Sequence, residues 1–324
     1  MTAPAAEGKG SSVFRTATRL RRRLLETEPT LLAVEVRPHG LGVVRLTREG
    51  EGRIITAGAS LDLPPGALSL SMTQPNILDA AAFSRTLGAA LERAGALAGG
   101  GVALVLPDPV ARVVLVPAAE VASRGRTEFD EMLRFRLKKV VPFDVREARV
   151  ASLSPRGDGP LLVAAIHRPV LEGYEKAFRD LGFEPGQVEV TGLALAEQIA
   201  SPAGDSVLVN WDHGYVSLLI LRDGWPILVR TLVGDFTASA ESVVREAANT
   251  FLYYRERLAG AGIASAAVRS AFLPPEDAVS LLREPLGVEP SILDPWFGRN
   301  PGDVGTQAQA LAGAAAVLLR GAAA

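Results

Sequence analysis

The chain carries one strand-rich plan twice, and that duplication limits the folds open to it more than any other feature. From residue 31 the hydrophobic period drops to two, giving short β-rich runs at 31–36, 41–47 and 53–58. They are separated by Pro38-His39-Gly40 and by Glu49-Gly50-Glu51-Gly52, so an antiparallel meander is predicted. The same order returns at 206–211, 216–221 and 227–232, with Asp223-Gly224 as the hairpin dipeptide. Helix and strand patterns alternate after each meander. In the first half a helix is predicted over 77–96, with Ile77, Ala80, Phe83, Leu87 and Leu91 on one face. The apolar run 102–106 reads as a buried strand stopped by Pro107-Asp108-Pro109. In the second half the pattern predicts a helix over 239–258, a strand over 267–273, a helix near 276–284 and an Ala-rich helix over 306–320. No short-period repeat is present.

Between the halves, 111–116 reads as a strand and 127–141 as a helix. Glu128, Asp130 and Glu131 lie in its first turn and Lys138 and Lys139 in its last, an order that complements the helix dipole, and Pro142 stops it. A buried strand at 161–166, a helix at 170–181, Gly182, a strand at 188–190 and a helix from 193 lead to a boundary at Ser201-Pro202-Ala203-Gly204-Asp205.

Composition removes several function classes. With 324 residues the default is two lobes of about 150. Apolar residues at 48% and charged ones at 22% make an ordinary globular chain, and a net charge of −2 offers no whole-chain attraction to nucleic acid, so no nucleic-acid partner is expected. The absence of cysteine excludes disulfides, thiol nucleophiles and thiolate metal sites. His39, His167 and His213 lie far apart in sequence with no paired metal-ligand spacing, so no metal site is expected. No apolar run reaches the roughly 18 residues that span a bilayer, and no signal-peptide core opens the chain, so a soluble protein is expected. Residues 1–11 are small and polar and are expected to be disordered. Over 12–25, Val13, Ala17, Leu20 and Leu24 face one way and Arg15, Arg19 and Arg22 the other. Such a helix either lies on an anionic membrane surface or packs on its own domain with a solvated arginine face.

A duplicated α/β plan of this kind is the layout of the actin, Hsp70 and sugar-kinase superfamily, an actin-like (ribonuclease H-like) two-lobe α/β fold. Three segments sharpen the likeness. The helix from Phe129-Asp130-Glu131 to Val141-Pro142-Phe143 has an acidic start and an aliphatic-Pro-Phe exit. Leu161-Leu162-Val163-Ala164-Ala165 is followed by Gly182-Phe183-Glu184-Pro185 and Leu193-Ala194-Leu195. The stretch 207–234 carries Asp223-Gly224-Trp225-Pro226 and Arg230-Thr231-Leu232. Leu293-Asp294-Pro295 and the tail 310–320 also fit. In this order they resemble the PilM-like type IV pilus assembly proteins over roughly 30–320.

The resemblance implies an actin-like lobe 1 at 30–109 plus 160–200, an inserted subdomain at 110–159 and a second lobe at 201–324, after a tail and basic helix at 1–29. Members of that family have four subdomains, but the short, one-helix stretch between Gly234 and the strand at 267–273 leaves little room for the fourth, so it is expected to be reduced or missing. The resemblance further implies a cytoplasmic scaffold, peripheral to the inner membrane through its partners. Its groove beside the insert would bind the tail of a PilN-like bitopic membrane protein; other pilus platform proteins are further partners, and members can form homo-oligomers. Arg134, Phe135, Arg136, Lys138 and Phe143 are the partner-binding candidates, while Phe135 and Phe143 also read as core. The cytoplasmic component of a type II secretion-like pseudopilus system is an alternative.

An actin-fold ATPase needs two Asp-x-Gly turns, the Asp for Mg²⁺ and the Gly for close approach of backbone amides to phosphate. Here the first aligns as Glu35-Val36-Arg37, and a family lysine falls at Gly42. The second aligns as Asn210-Trp211-Asp212, which puts a carboxylate where the glycine stood. One like-charge contact near about 4 Å costs about 4 kcal/mol at an effective dielectric of about 20. A slip of two residues would restore Asp212-His213-Gly214. Val268-Arg269-Ser270-Ala271-Phe272 stands where the adenosine site carries Gly-Gly. Nucleotide binding is therefore expected to be lost, with no cofactor and no enzyme activity; the alternative is a slow ATPase using Mg·ATP through Glu35 and Asp212, and Arg37 is the anion candidate. Neither a Walker loop nor a Gly-x-Ser-x-Gly elbow is present, and Glu172/Glu175 reads as a solvated helix face.

Overall fold

The computed structural model describes residues 31–50, 52–117, 120, 126–155, 159–199, 204–234, 239–301 and 308–320. The expected tail at 1–11, the basic helix at 12–25, residues 201–203 of the boundary and the first residues of the last helix lie outside them.

The duplication holds strand for strand. In lobe 1, β1 (Leu32–Arg37), β2 (Gly40–Glu49) and β3 (Gly52–Asp62) form the antiparallel meander. Helix α1 (Ala80–Arg93), capped by the Asp79 carboxylate on the Ala82 amide, crosses to β4 (Gly100–Leu106), which runs parallel to β1. The sheet order is β3-β2-β1-β4-β8, with β8 at Phe183–Val190. In lobe 2, β9 (Asp205–Asp212), β10 (Tyr215–Arg222) and β11 (Trp225–Val233) repeat the meander. Then α5 (Ala240–Arg257), β12 (Ile263–Ser270), α6 (Pro275–Leu286) and β13 (Ser291–Ile292) complete the order β11-β10-β9-β12-β13. The Asp223-Gly224 turn has φ of 51° and 74°, the left-handed pair that a two-residue hairpin demands.

Alternation on the strands builds three layers. Val34, Val36, Leu104 and Leu106 pack outward on Phe83 and Leu87 of α1 and on Tyr174 and Phe178 of α3 (Arg168–Arg179). Val207, Val209 and Val268 pack outward on α5 and α6. Ala33, Ala103 and Val105 of lobe 1 and Leu208 and Leu219 of lobe 2 point the other way, onto α4 (Thr191–Ala196) and α7 (Ala312–Leu319). Helix α7 is buried on every side, as its lack of a polar face requires, and its run of alanines lets backbones approach closely. A Cβ on Gly42 would sit 2.2 Å from the Ala310 carbonyl oxygen, so the β2 position that aligns with a lysine is filled by the chain entering α7.

The inserted subdomain contains β5 (Ala111–Val116), α2 (Arg126–Lys138), β6 (Ala148–Leu153) and β7 (Leu161–His167), with sheet order β5-β7-β6. Leu133 and Leu137 of α2 cover one face through Leu161, Val163 and Ala165. Two features differ from expectation. Strand β7 pairs with β5 and β6, so the insert runs on to His167 instead of ending at 159. Strand β6 was invisible in the sequence because five of its six residues are exposed and no buried face imposes an alternation. Among the described residues nothing is inserted between β11 and α5 or between α5 and β12.

Gly42→Ala is expected to lower unfolding stability by about 3 kcal/mol, because backbone must move to admit the methyl group. Gly88→Ala, on α1 with open space around it, is expected to be neutral or stabilising by up to about 1 kcal/mol. Urea unfolding of the two variants checks the contrast.

Candidate functional site

Ligand crevices in α/β sheets form beyond the carboxyl ends of parallel strands, and here both lobes aim those ends at one point. Strand β1 delivers Glu35, the turn after β4 delivers Asp108, β9 delivers Asn210 and Asp212, and β12 delivers Arg269. All five side chains are buried, and Glu35, Asn210 and Arg269 have no exposed surface.

Arg269 is the hub. Its Nη2 donates to Glu35 Oε1 at 2.7 Å, across the lobes. Its Nη1 donates to Asn210 Oδ1 at 2.8 Å and to Asp212 Oδ2 at 3.2 Å, and its Nε to the Gln309 carbonyl at 3.0 Å. Each carboxylate of lobe 1 also meets a helix N-terminus, where free amides and the dipole favour negative charge. The Gly313 amide of α7 donates to Glu35 Oε2 at 2.8 Å, and the Gly192 amide of α4 donates to Asp108 Oδ1 at 2.6 Å. Asn210 Nδ2 closes the network by donating to Asp108 Oδ2 at 2.9 Å. Both helix positions need glycine: a Cβ on Gly313 would lie 2.7 Å from the Glu35 carboxyl carbon, and one on Gly192 2.8 Å from Asp108 Oδ2.

Burial works against the charge on Arg269, but Glu35 and Asp212 outweigh it and hold the guanidinium protonated, its pKa raised. Burial likewise pushes Glu35 and Asp108 up, with Arg269 pulling Glu35 back and the Gly192 amide and Asn210 pulling Asp108 back.

Of the residues singled out in the sequence, the structure brings Glu35, Asn210 and Asp212 together around Arg269. The ladders make Arg37 opposite Gly40 the counterpart of Asp212 opposite Tyr215, so Glu35 and Asn210 are equivalent without a slip. Arg37 is not part of the network: it turns to Ser60, Nη2 donating to Oγ at 3.3 Å. The sequence reading missed Asp108 and the inward role of Arg269. The available signals were an acid between two prolines after a buried strand, and an arginine in a buried strand of a chain whose other buried ends carry acids. Among the described residues no cluster of three or more candidate metal ligands occurs.

Outside this network the first hairpin turns of the two lobes touch. The rings of His39 and His213 lie 4.2 Å apart, and His213 meets Phe272 edge-on at 4.6 Å. Burial, with His39 and Arg37 nearby, lowers the His213 pKa, while Asp212 and Asp62 oppose that.

A second feature is a groove of about 650 Å³ between the insert and lobe 1. Its walls are two sheet edges left unpaired among the described residues, β6 from Arg149 to Leu153 and β8 from Pro185 to Val190. Its floor includes Leu162, Ala164 and Ile166, the face of β7 turned away from α2. Arg320, ion-paired with Glu189 and Glu197, closes one end. Val150 and Leu153 leave 38% and 50% of their surface open on β6, an unusual exposure for an edge strand. The candidates Arg134, Phe135, Arg136 and Lys138 do not line this groove; they lie on α2, across the small sheet. Phe143 is half-buried against the core of the insert and stacks on His167 at 4.7 Å.

Comparison with solved structures fits this architecture. A PilM-PilN type IV pilus biogenesis complex contains a chain that superposes with a TM-score of 0.71 at 20% identity, over 90% of this chain and 97% of that one. A Bacteroides thetaiotaomicron protein of unknown function with an actin-like ATPase fold gives 0.52 at 11% identity, covering 87% and 94%. The cytoplasmic domain of EpsL, an inner-membrane component of the type II secretion system of Vibrio cholerae, gives 0.50 at 15%, covering 90% and 98%. The fold is actin-like. No protein-family model and no curated protein sequence matches the chain. Among the described residues of this actin-like chain, no helix is long and apolar enough to cross a membrane.

Arg269→Met is expected to cost about 3–5 kcal/mol, because it strands buried carboxylates without a cation. Adding Glu35→Gln to that variant is expected to cost less than the sum of the two single changes, by at least about 1 kcal/mol in a double-mutant cycle from urea unfolding. His213 has a separate consequence. Its folded pKa is depressed below the unfolded value of about 6.5, so the unfolded state takes up the proton first and stability falls as pH drops through that value. The thermal midpoint of the native protein is expected to fall more steeply between about pH 7.5 and 5.5 than that of His213→Gln.

Proposed function

We propose that this protein is a non-enzymatic adaptor of a type IV pilus inner-membrane assembly, working on the cytoplasmic side of that membrane. The observation that carries the non-enzymatic part is the state of Arg269. An actin-fold ATPase uses carboxylates at its two turns to hold Mg²⁺ against the phosphates. Here Glu35 and Asp212 are committed to one internal guanidinium that has no exposed surface. The triphosphate and Mg²⁺ of a nucleotide introduced beside them would meet a network already closed by Gly192, Gly313 and Asn210.

The partner reading rests on the groove and on the similarity to a chain solved in a PilM-PilN complex. Two unpaired strand edges facing one apolar floor suit an extended peptide, whose main chain can pair with an edge while alternate side chains fill the groove. The cytoplasmic tail of a PilN-like bitopic protein is the proposed occupant. The similarity to the EpsL cytoplasmic domain supports a second reading, in which the same groove serves a type II secretion-like assembly.

A synthetic N-terminal peptide of a PilN-like protein, followed by fluorescence anisotropy, tests the adaptor role. Saturable binding is expected, weakened at least about tenfold by Ala164→Arg on the groove floor and by Leu153→Asp on its exposed edge. Leu153 is half open to solvent, so that variant should keep the native fold. Absence of saturable binding, or groove variants that bind as the native protein does, contradicts the role.

A further inference from the structure

The end of α2 carries a surface that the groove does not use. Seen along the helix, Leu133 and Leu137 point into the insert, while Phe135 and Lys138 point away from it. Phe135 leaves 60% of its surface exposed, with the Lys139 ammonium 4.3 Å from its ring centroid. Arg134 lies on the flank, and Val140, 39% exposed, follows in the turn. Arg136 is held by Glu120 and Asp144 by Arg146, so Arg134, Lys138 and Lys139 are the cations of this stretch without an ion pair among the described residues.

We propose that this end of the insert, Arg134 to Val140, rests on an anionic lipid surface. The patch is a helix end with an exposed aromatic residue flanked by long cations that make no ion pair among the described residues. That form suits a planar interface, where the ring sits at headgroup level and the ammonium and guanidinium groups reach the phosphates. The charge order also sets an orientation. Glu128, Asp130 and Glu131 occupy the first half of the helix, so an anionic surface repels that half and the helix approaches by its last turn.

The proposal concerns a face across the small sheet from the groove and does not depend on the adaptor reading. The test is co-sedimentation of the full chain with vesicles of phosphatidylcholine alone or mixed with phosphatidylglycerol. The native protein is expected to pellet with the mixed vesicles and not with phosphatidylcholine alone, and to be released by salt. Arg134→Glu/Lys138→Glu/Lys139→Glu is expected to bind at least about tenfold more weakly, since each cation near such a surface is worth roughly fivefold. Phe135→Ser is expected to bind several-fold more weakly, and Glu131→Lys more tightly. The triple variant should still bind the tail peptide, which separates this surface from the groove. Equal pelleting of the native and triple-variant proteins overturns the proposal, as does failure of the native protein to pellet with anionic vesicles.

Discussion

A guanidinium with no exposed surface must be surrounded by acceptors, and the arrangement of the two lobes follows from how Arg269 meets that requirement. It has acceptors from β1, β9 and the segment before α7, so three separate parts of the chain converge on one side chain. Removing two charges from water costs several kcal/mol per ion, and attraction alone seldom recovers it. The added amide donors at Gly192 and Gly313 lower that cost by giving the carboxylates a second set of partners. The network is therefore better understood as fixing the register between lobes than as a large source of stability. Apolar layers supply the stability, and the buried charges choose one arrangement of them.

Small residues make that convergence reachable. Gly42, Gly192 and Gly313 stand where a single added carbon would collide with a backbone carbonyl or a carboxylate. The alanines of α7 extend the same allowance along the inter-lobe layer. The groove is built from the opposite condition, since among the described residues β6 and β8 end their sheets with unpaired edges. Closure at the centre and openness at the side are both properties of one chain path: β7 hands the chain to α3, which returns it to β8 beside the insert.

Much of the fold was legible because alternation and turn chemistry act locally. The two meanders, the Asp223-Gly224 hairpin and the long helices followed from residues within a few positions of one another. Strand β6 did not, because exposure leaves no pattern, and neither did the pairing of β7 with β5 and β6, because pairing is a long-range choice. At the site, Glu35, Asn210 and Asp212 were found as departures from a motif. The role of Arg269 was not, because its partners lie 234 and 59 positions away in sequence. No local rule joins them; only the cost of burying an unpaired charge does. Asp108 was hidden for a similar reason, its helix partner being 84 positions distant.

If the inter-lobe crevice is occupied by the protein's own cation, it has no vacancy for a metal-bound nucleotide. Isothermal titration of the native protein with Mg·ATP tests this most directly. The account predicts no saturable heat at ligand concentrations through the micromolar range. Saturable binding with a Kd tighter than about 100 µM, some −5.5 kcal/mol or stronger, would contradict it.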